Sequence, residues 1–289
     1  MKILKINQKF IKTFTNNLIF FIIFLFALSC EKNNISNFTI SENLLKFLNN
    51  NNFESKFIAH AAGGVNFDTY TNSVEALEKS INNGYRLIEI DLMKTSDDFF
   101  IGGHSDWPSF KKKLSNSKYQ TNDKAMTLDE VKNSKVYDKY RPLTIDYINE
   151  IFSKNEKLFL VTDKSNNFKK IISDFTFDKN RIIVEIFGRD NYFLSIKEGI
   201  TNPMFSATIS DYDFILKNNI KLIAIHSNDL IKNKNKYKKL IKKNVFIFVY
   251  TTNNKKFIQE HIDVSVSGFY TDFWDFNKNI CTNHTCITY

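Results

Sequence analysis

Eight short apolar runs with strand character constrain this chain more than any other feature. They fall at 57–61 (FIAHA), 86–92 (RLIEIDL), 157–163 (KLFLVTD), 182–187 (IIVEIF), 203–208 (PMFSAT), 221–226 (KLIAIH), 245–250 (VFIFVY) and 267–271 (SGFYT). Most of the gaps hold amphipathic helical patterns, at 143–154, 166–175, 189–198, 211–218, 228–243 and 254–261. After the first run, Asn72-Ser-Val-Glu75 reads as a cap with a reciprocal glutamate, opening a helix that Asn83-Gly84 closes. Strands that alternate with helices pair in parallel through helical crossovers. Eight such units in about 250 residues predict an α/β chain folded as a single (β/α)8 TIM barrel.

One gap is long. The stretch between strand 2 and strand 3 holds His104, Trp107, the capping-box sequence Thr127-Leu-Asp-Glu130 and Pro142. An insertion there is expected over the C-terminal mouth of the barrel, where active sites of this architecture lie, as a lid or substrate-selecting element. Residues 31–55 read as a polar tether and a short helix. The chain therefore divides into a leader (1–29), a tether with its helix (30–55), the barrel (56–275) and a tail (276–289).

The leader carries Lys2, Lys5, Lys9 and Lys12 and no acid before an apolar run at 18–28, LIFFIIFLFAL. That run is too short for a membrane span, which needs about 20 residues, and suits the core of a secretory signal. It ends in Ala27-Leu28-Ser29-Cys30, which resembles a bacterial lipobox. Lipidation of Cys30 would place the protein in the bacterial cell envelope, outside the cytoplasm and tethered to a membrane. An uncleaved N-terminal anchor is the rival reading. The two remaining cysteines, Cys281 and Cys286, are expected to pair as a disulfide in an oxidising compartment.

The chain's formal charge is +9, and without the four leader lysines it is +5. The lysines at 111–113 and 232–239 read as solvated faces, not as a nucleic-acid patch. No nucleic-acid partner is expected.

Three clusters carry chemistry: His60 in FIAHAAGG, Glu89 and Asp91 in RLIEIDL, and His104 in FIGGHSDW. Residues i and i+2 of a strand share a face, so Glu89 and Asp91 project together, away from Ile88, Ile90 and Leu92. Two carboxylates so placed repel unless a cation lies between them, and oxygen ligands suit Ca²⁺ or Mg²⁺. Alone, the pair fits a solvated edge strand equally well. The flanking histidines favour a metal-assisted phosphodiester-cleaving site, with one imidazole to take a proton and one to give it.

The stretch from His60 to Trp107 resembles the glycerophosphodiester phosphodiesterase family, in a form like a bacterial branch of the wider phospholipase-C-like phosphodiesterase superfamily. That family carries a histidine opening an H-R-G-type loop, a helix-capping asparagine, E-x-D on the second strand, and a second histidine in an H-D motif. The matching residues are His60, Asn72, Glu89 with Asp91, and His104. A weaker likeness continues through Thr127–Val131, Val161–Lys164 and Gly268–Asp272. The resemblance implies His60 and His104 as the acid/base pair, with a Ca²⁺ or Mg²⁺ ion on Glu89, Asp91 and a third carboxylate, here Asp163. Ala61 stands where most of the family has a phosphate-holding arginine, and Lys164 is expected to replace it. Asn72 and Trp107 are expected at the substrate, a small phosphodiester or phospholipid. H-S-D-W has one residue more than H-D-W, which leaves the role of Asp106 open.

Glu185 is expected to face the barrel interior near the mouth, as a supporting partner of the ligands or as an alternative third ligand. His226 is expected in a structural or polar-loop role, and His261 and His284 at the surface. Tyr250, Tyr270 and Trp274 suit packing or pocket lining. Two other functions compete: a metal-independent phospholipase-C-like lyase, and a non-catalytic lipid-anchored binding protein. The E-x-D pair argues against the first, and the intact His60, Glu89, Asp91 and His104 against the second.

Overall fold

The computed structural model describes residues 39–50, 52–104, 106–114, 123–276 and 280–281. Cys30, His284 and Cys286 lie outside them, and so do the expected lipid anchor and disulfide. Eight parallel strands close a barrel: β1 (Phe57–Ala59), β2 (Leu87–Lys94), β4 (Phe159–Asp163), β5 (Ile182–Phe187), β6 (Asn202–Ala207), β7 (Leu222–His226), β8 (Phe246–Tyr250) and β9 (Gly268–Thr271). They neighbour one another in chain order, and β1 closes the ring by pairing with both β2 and β9. Every one lies within two residues of a run read from sequence.

The helices of the outer ring are α2 (Val74–Asn82), α5 (Ile145–Lys154), α6 (Phe168–Asp174), α7 (Arg189–Lys197), α8 (Tyr212–Lys217), α9 (Ser227–Ile241) and α10 (Lys255–His261). A leading helix, α1 (Glu42–Asn49), precedes the first strand. Among the described residues no helix is long and apolar enough to cross a membrane.

Strand periodicity divides the core into two layers. Ile58, Leu87, Phe159, Val161, Ile183, Met204, Leu222, Ala224 and Phe248 form one cluster inside the barrel. Ile40 and Leu44 join it from α1 and its lead-in, so α1 plugs the N-terminal pole. Ser41 fixes that helix. Its hydroxyl accepts from Leu44 N–H, and its own N–H donates to Asn202 Oδ1 at 2.8 Å. Ile88, Ile90, Leu160, Val184, Ile223, Ile225, Ile247 and Val249 point outward into the helix-facing cluster. Each such side chain contributes on the order of 1.5–3 kcal/mol by leaving water.

The long insertion begins as a hairpin. β2 runs on beyond the barrel and pairs antiparallel with β3 (Phe100–Gly102), Leu92 opposite Gly102 and Lys94 opposite Phe100. Two short helices follow, α3 (Trp107–Lys111) and α4 (Leu128–Lys132), the second with the expected capping box at Thr127 and Glu130. The insertion is tied to the β1–α2 loop, where the Tyr140 hydroxyl donates to Asp68 Oδ2 at 2.8 Å. After β9 a small ribbon pairs β10 (Trp274–Asp275) with β11 (Ile280–Cys281).

Candidate active site

The register of two neighbouring strands builds the acidic cluster. Asp91 stands opposite Asp163, and Glu89 opposite Val161, on the parallel pair β2–β4. All three acids face the barrel interior near its C-terminal end and are buried. One oxygen from each of Glu89, Asp91 and Asp163 lies within 4.8 Å of the others. Burial pushes the Glu89 carboxyl well above its ordinary value, and the charges of Asp91 and Asp163 push it further. Asp163 is raised for the same two reasons, burial first and then Asp91, with Lys164 opposing.

Three buried carboxylates that repel one another fit a divalent cation. A second observation agrees: Asp163 Oδ1 is buried and has no hydrogen-bond partner. Three carboxylate oxygens are the donor set of a hard ion such as Ca²⁺ or Mg²⁺. Glu185 lines the same cavity, but Tyr270 donates its hydroxyl to Glu185 Oε2 at 2.9 Å, and Glu185 is not one of the three converging acids.

His60 enters at the end of β1, where the HAAGG loop turns sharply. Ala61 and Ala62 take left-handed backbone, with φ of 49° and 67°. The turn aims the Ala61 N–H at Glu89 Oε2, 2.6 Å away. Gly63 follows at φ 94°, and a Cβ there would fall 2.0 Å from Ser80 Oγ, so the close approach of α2 requires glycine. Nδ1 of His60 lies 3.0 Å from Asp272 Oδ1. Asp272 is clamped in turn by Asn253, which donates from Nδ2 to Oδ2 at 2.7 Å and accepts the Asp272 N–H on Oδ1 at 2.8 Å. The carboxylate thus assigns the proton to Nδ1 and leaves Nε2 as the nitrogen available for proton transfer.

His104 arrives by the β2–β3 hairpin. The Gly103 N–H donates to the Asp91 carbonyl at 3.0 Å, which brings the next residue beside the acids. A Cβ on Gly103 would meet Met93 Sδ at 2.7 Å and the Phe110 ring at 3.0 Å, so a side chain there would have to displace them. Burial holds the His104 imidazole below its ordinary value. Asp91 opposes this, while Lys164 and Lys113 add to it.

His60, His104, the three acids, Lys164, Tyr70 and Tyr250 line one cavity of about 220 Å³. Clefts of about 580 and 430 Å³ flank α1 at the opposite pole, but neither brings acids together with imidazoles. The chemistry, not the volume, marks the site. Lys164, at φ 61°, sets Nζ 2.7 Å from Asp163 Oδ2. Burial alone would depress its ammonium, but Asp163, Asp91 and Glu89 outweigh that and raise it.

Several expected residues have other roles. Asn72 was expected to cap α2 and to touch substrate. It is fully buried instead, its Nδ2 donating to Asp91 Oδ2 at 2.9 Å and its Oδ1 accepting the Asp91 N–H at 3.1 Å. The cap is Ser73, which accepts from Ala76 N–H, and Glu75 binds Arg141 rather than closing a box. Trp107 does not line the cavity. Its indole N–H donates to the Lys94 carbonyl at 3.0 Å and its ring packs edge-on to Phe110. Asp106 caps α3 by accepting from Ser109 N–H. His226 caps α9. His261, expected at the surface, is buried and stacked on Phe257. Trp274 stacks on Phe57 at 4.1 Å.

Sequence reasoning missed Asp272 and Asn253 as the support of His60. It also missed Tyr70, whose ring lies edge-on to both imidazoles, with centroids 4.4 Å from His60 and 5.3 Å from His104. A polar loop sequence gives no signal for such a wedge.

The sequence matches no protein-family model and no curated protein. The architecture does match solved structures. A glycerophosphoryl diester phosphodiesterase from Parabacteroides distasonis superposes with a TM-score of 0.62 at 15% identity, covering 81% of this chain and 90% of that one. The chain has the glycerophosphodiester phosphodiesterase fold. A glycerophosphodiester phosphodiesterase from Thermotoga maritima gives a TM-score of 0.56 at 18% identity, covering 75% of this chain and 93% of that one. An Oleispira antarctica phosphodiesterase, in complex with the product sn-glycerol-3-phosphate, gives 0.60 at 13% identity over 77% and 94%.

Proposed function

We propose that this protein is a divalent-cation-dependent phosphodiesterase acting on glycerophosphodiesters or phospholipid headgroup phosphodiesters, tethered through Cys30 outside the cytoplasm. The observation that carries the proposal is the convergence of His60, His104 and the Glu89–Asp91–Asp163 cluster on one small polar cavity. Phosphodiesterases of the same fold, one with sn-glycerol-3-phosphate in its structure, support the substrate class.

Glu89, Asp91 and Asp163 would hold the cation, with Asn72 fixing Asp91 and the Ala61 N–H fixing Glu89. When bound, a Ca²⁺ or Mg²⁺ ion offsets the charge of a phosphate oxygen. Lys164 supplies the cavity's positive side chain, where Ala61 leaves no arginine. One imidazole removes the proton of the attacking hydroxyl, and the other protonates the departing alkoxide, whose alcohol is too weak an acid to leave unaided. Asp272 holds His60 in one tautomer for this task. The attacking hydroxyl belongs to water or to the substrate itself, and a cyclic phosphate among the products would identify the second.

The test is a contrast of variants. His60→Ala and His104→Ala should each lower kcat by ~10²–10⁴ and leave cation affinity in calorimetry as in the wild type. Retention of turnover in both variants would refute the assignment.

A further inference from the structure

We infer that Tyr70 is a positioning residue: its ring is the spacer that sets the separation of the two imidazoles. The phenol ring meets His60 at 4.4 Å and 88°, and His104 at 5.3 Å and 73°, so one planar group touches both rings edge to face. Aromatic pairs favour this arrangement, the positive ring edge against a negative face. His60 comes from the end of β1 and His104 follows β3. The backbone beside each is tied to β2, through Ala61 N–H on Glu89 and Gly103 N–H on the Asp91 carbonyl. The Tyr70 ring adds a side-chain contact with both imidazoles.

The backbone shows that the ring is held in place. Tyr70 and Asn72 both adopt left-handed φ, 54° and 44°, without being glycine. Such backbone is costly and persists where the surroundings enforce it, often at functional sites. Here the enforcing contacts run through Asn72. Its N–H donates to the Ala61 carbonyl at 3.2 Å, and its carbonyl accepts from Leu143 N–H at 3.1 Å. Its side chain is locked on Asp91, as described above. The turn that presents Tyr70 is therefore anchored on one of the three cluster acids. The spacing of the imidazoles and the placing of the acids share one support.

A phosphoryl group displaced in line needs its proton acceptor and donor on opposite sides. Small errors in that spacing cost rate rather than binding. The ring, not the hydroxyl, is the part that acts, and the prediction separates the two.

The kinetic arm rests on the phosphodiesterase reading; the spectroscopic arm does not. With glycerophosphocholine and saturating Ca²⁺ or Mg²⁺, Tyr70→Ala should lower kcat by ~10–10²-fold, the scale of a misplaced catalytic group. KM, cation affinity and melting temperature should stay close to wild type, and Tyr70→Phe should recover most of the lost kcat. Independently of turnover, the imidazole ¹H–¹⁵N signals of His60 and His104 should be single and sharp in the wild type and in Tyr70→Phe. In Tyr70→Ala they should be doubled or broadened. A Phe variant as slow as the Ala variant would overturn the spacer role in favour of the hydroxyl. Sharp, single imidazole signals in Tyr70→Ala would overturn it outright. A wild-type enzyme inert toward phosphodiesters would defeat the function reading alone, and the signals would still decide the role of Tyr70.

Discussion

Oδ1 of Asp272 lies 3.0 Å from Nδ1 of His60, across 212 residues of chain. Closure of the barrel makes the contact, because β9 pairs with β1. Asp272 and Asn253 are both buried, so the imidazole is backed by a rigid and dry support. Asp272→Asn should lower kcat by about 10–100-fold or more with cation affinity unchanged. Steady-state kinetics alongside a calorimetric cation titration checks this, and equal kcat would remove Asp272 from the mechanism.

The acidic cluster predicts how cation-free stability depends on pH. Glu89 has its folded pKa raised, by burial and then by Asp91 and Asp163. The fold therefore binds that proton more tightly than the unfolded chain does. The contribution of Glu89 is lost as pH rises through its folded value, and is recovered as pH falls toward the ordinary carboxylate range. In chelator, Glu89→Gln should melt at or above the wild-type temperature at neutral pH. The difference should shrink as pH is lowered. Added Ca²⁺ or Mg²⁺ should raise the melting temperature of the wild type only.

Asn72 is expected to act on the cation and not on the substrate. Asn72→Ala deprives Asp91 of both amide contacts. Loss of such a supporting partner weakens metal affinity by ~10–100-fold. Calorimetry should show that loss, and KM measured at saturating cation should stay near wild type.

The barrel was legible because strands buried on both faces appear as short, largely apolar runs, and eight such runs alternate here with helical patterns. Glu89 and Asp91 were legible for a related reason: acids alternating with isoleucines in such a run have only one face to share. Asp163 could be placed because it ends the neighbouring run. The supports of the site were not legible. Asp272 reaches His60 only after the barrel closes, and nothing near either residue announces the other. Asn72 and Ser73 are both cap-forming types, and local pattern could not tell that Ser73 caps the helix and frees Asn72 for Asp91. β3 is three residues long, too short for its alternation to stand out, and its Gly102 packs against Leu143 and Asn72, which are distant in sequence. Tyr70 owes its position to left-handed backbone in a polar loop, which no periodicity reports.

Cys30 is expected to be the membrane tether, from the apolar run that ends in Ala-Leu-Ser-Cys. Cys30→Ser should move the protein from the membrane fraction into the soluble fraction or leave it unprocessed. Normal processing and retention of the variant would rule out lipidation at this residue.

The most direct test of the whole account is turnover of a glycerophosphodiester by the full chain before chelation, in EDTA, and after Ca²⁺ or Mg²⁺ is restored. Activity that disappears in EDTA and returns with one of these ions is the predicted result, because three repelling carboxylates need the cation to order the cavity around phosphate. Undiminished activity in EDTA would contradict it, and would mean that the two histidines and Lys164 work without the Glu89–Asp91–Asp163 site.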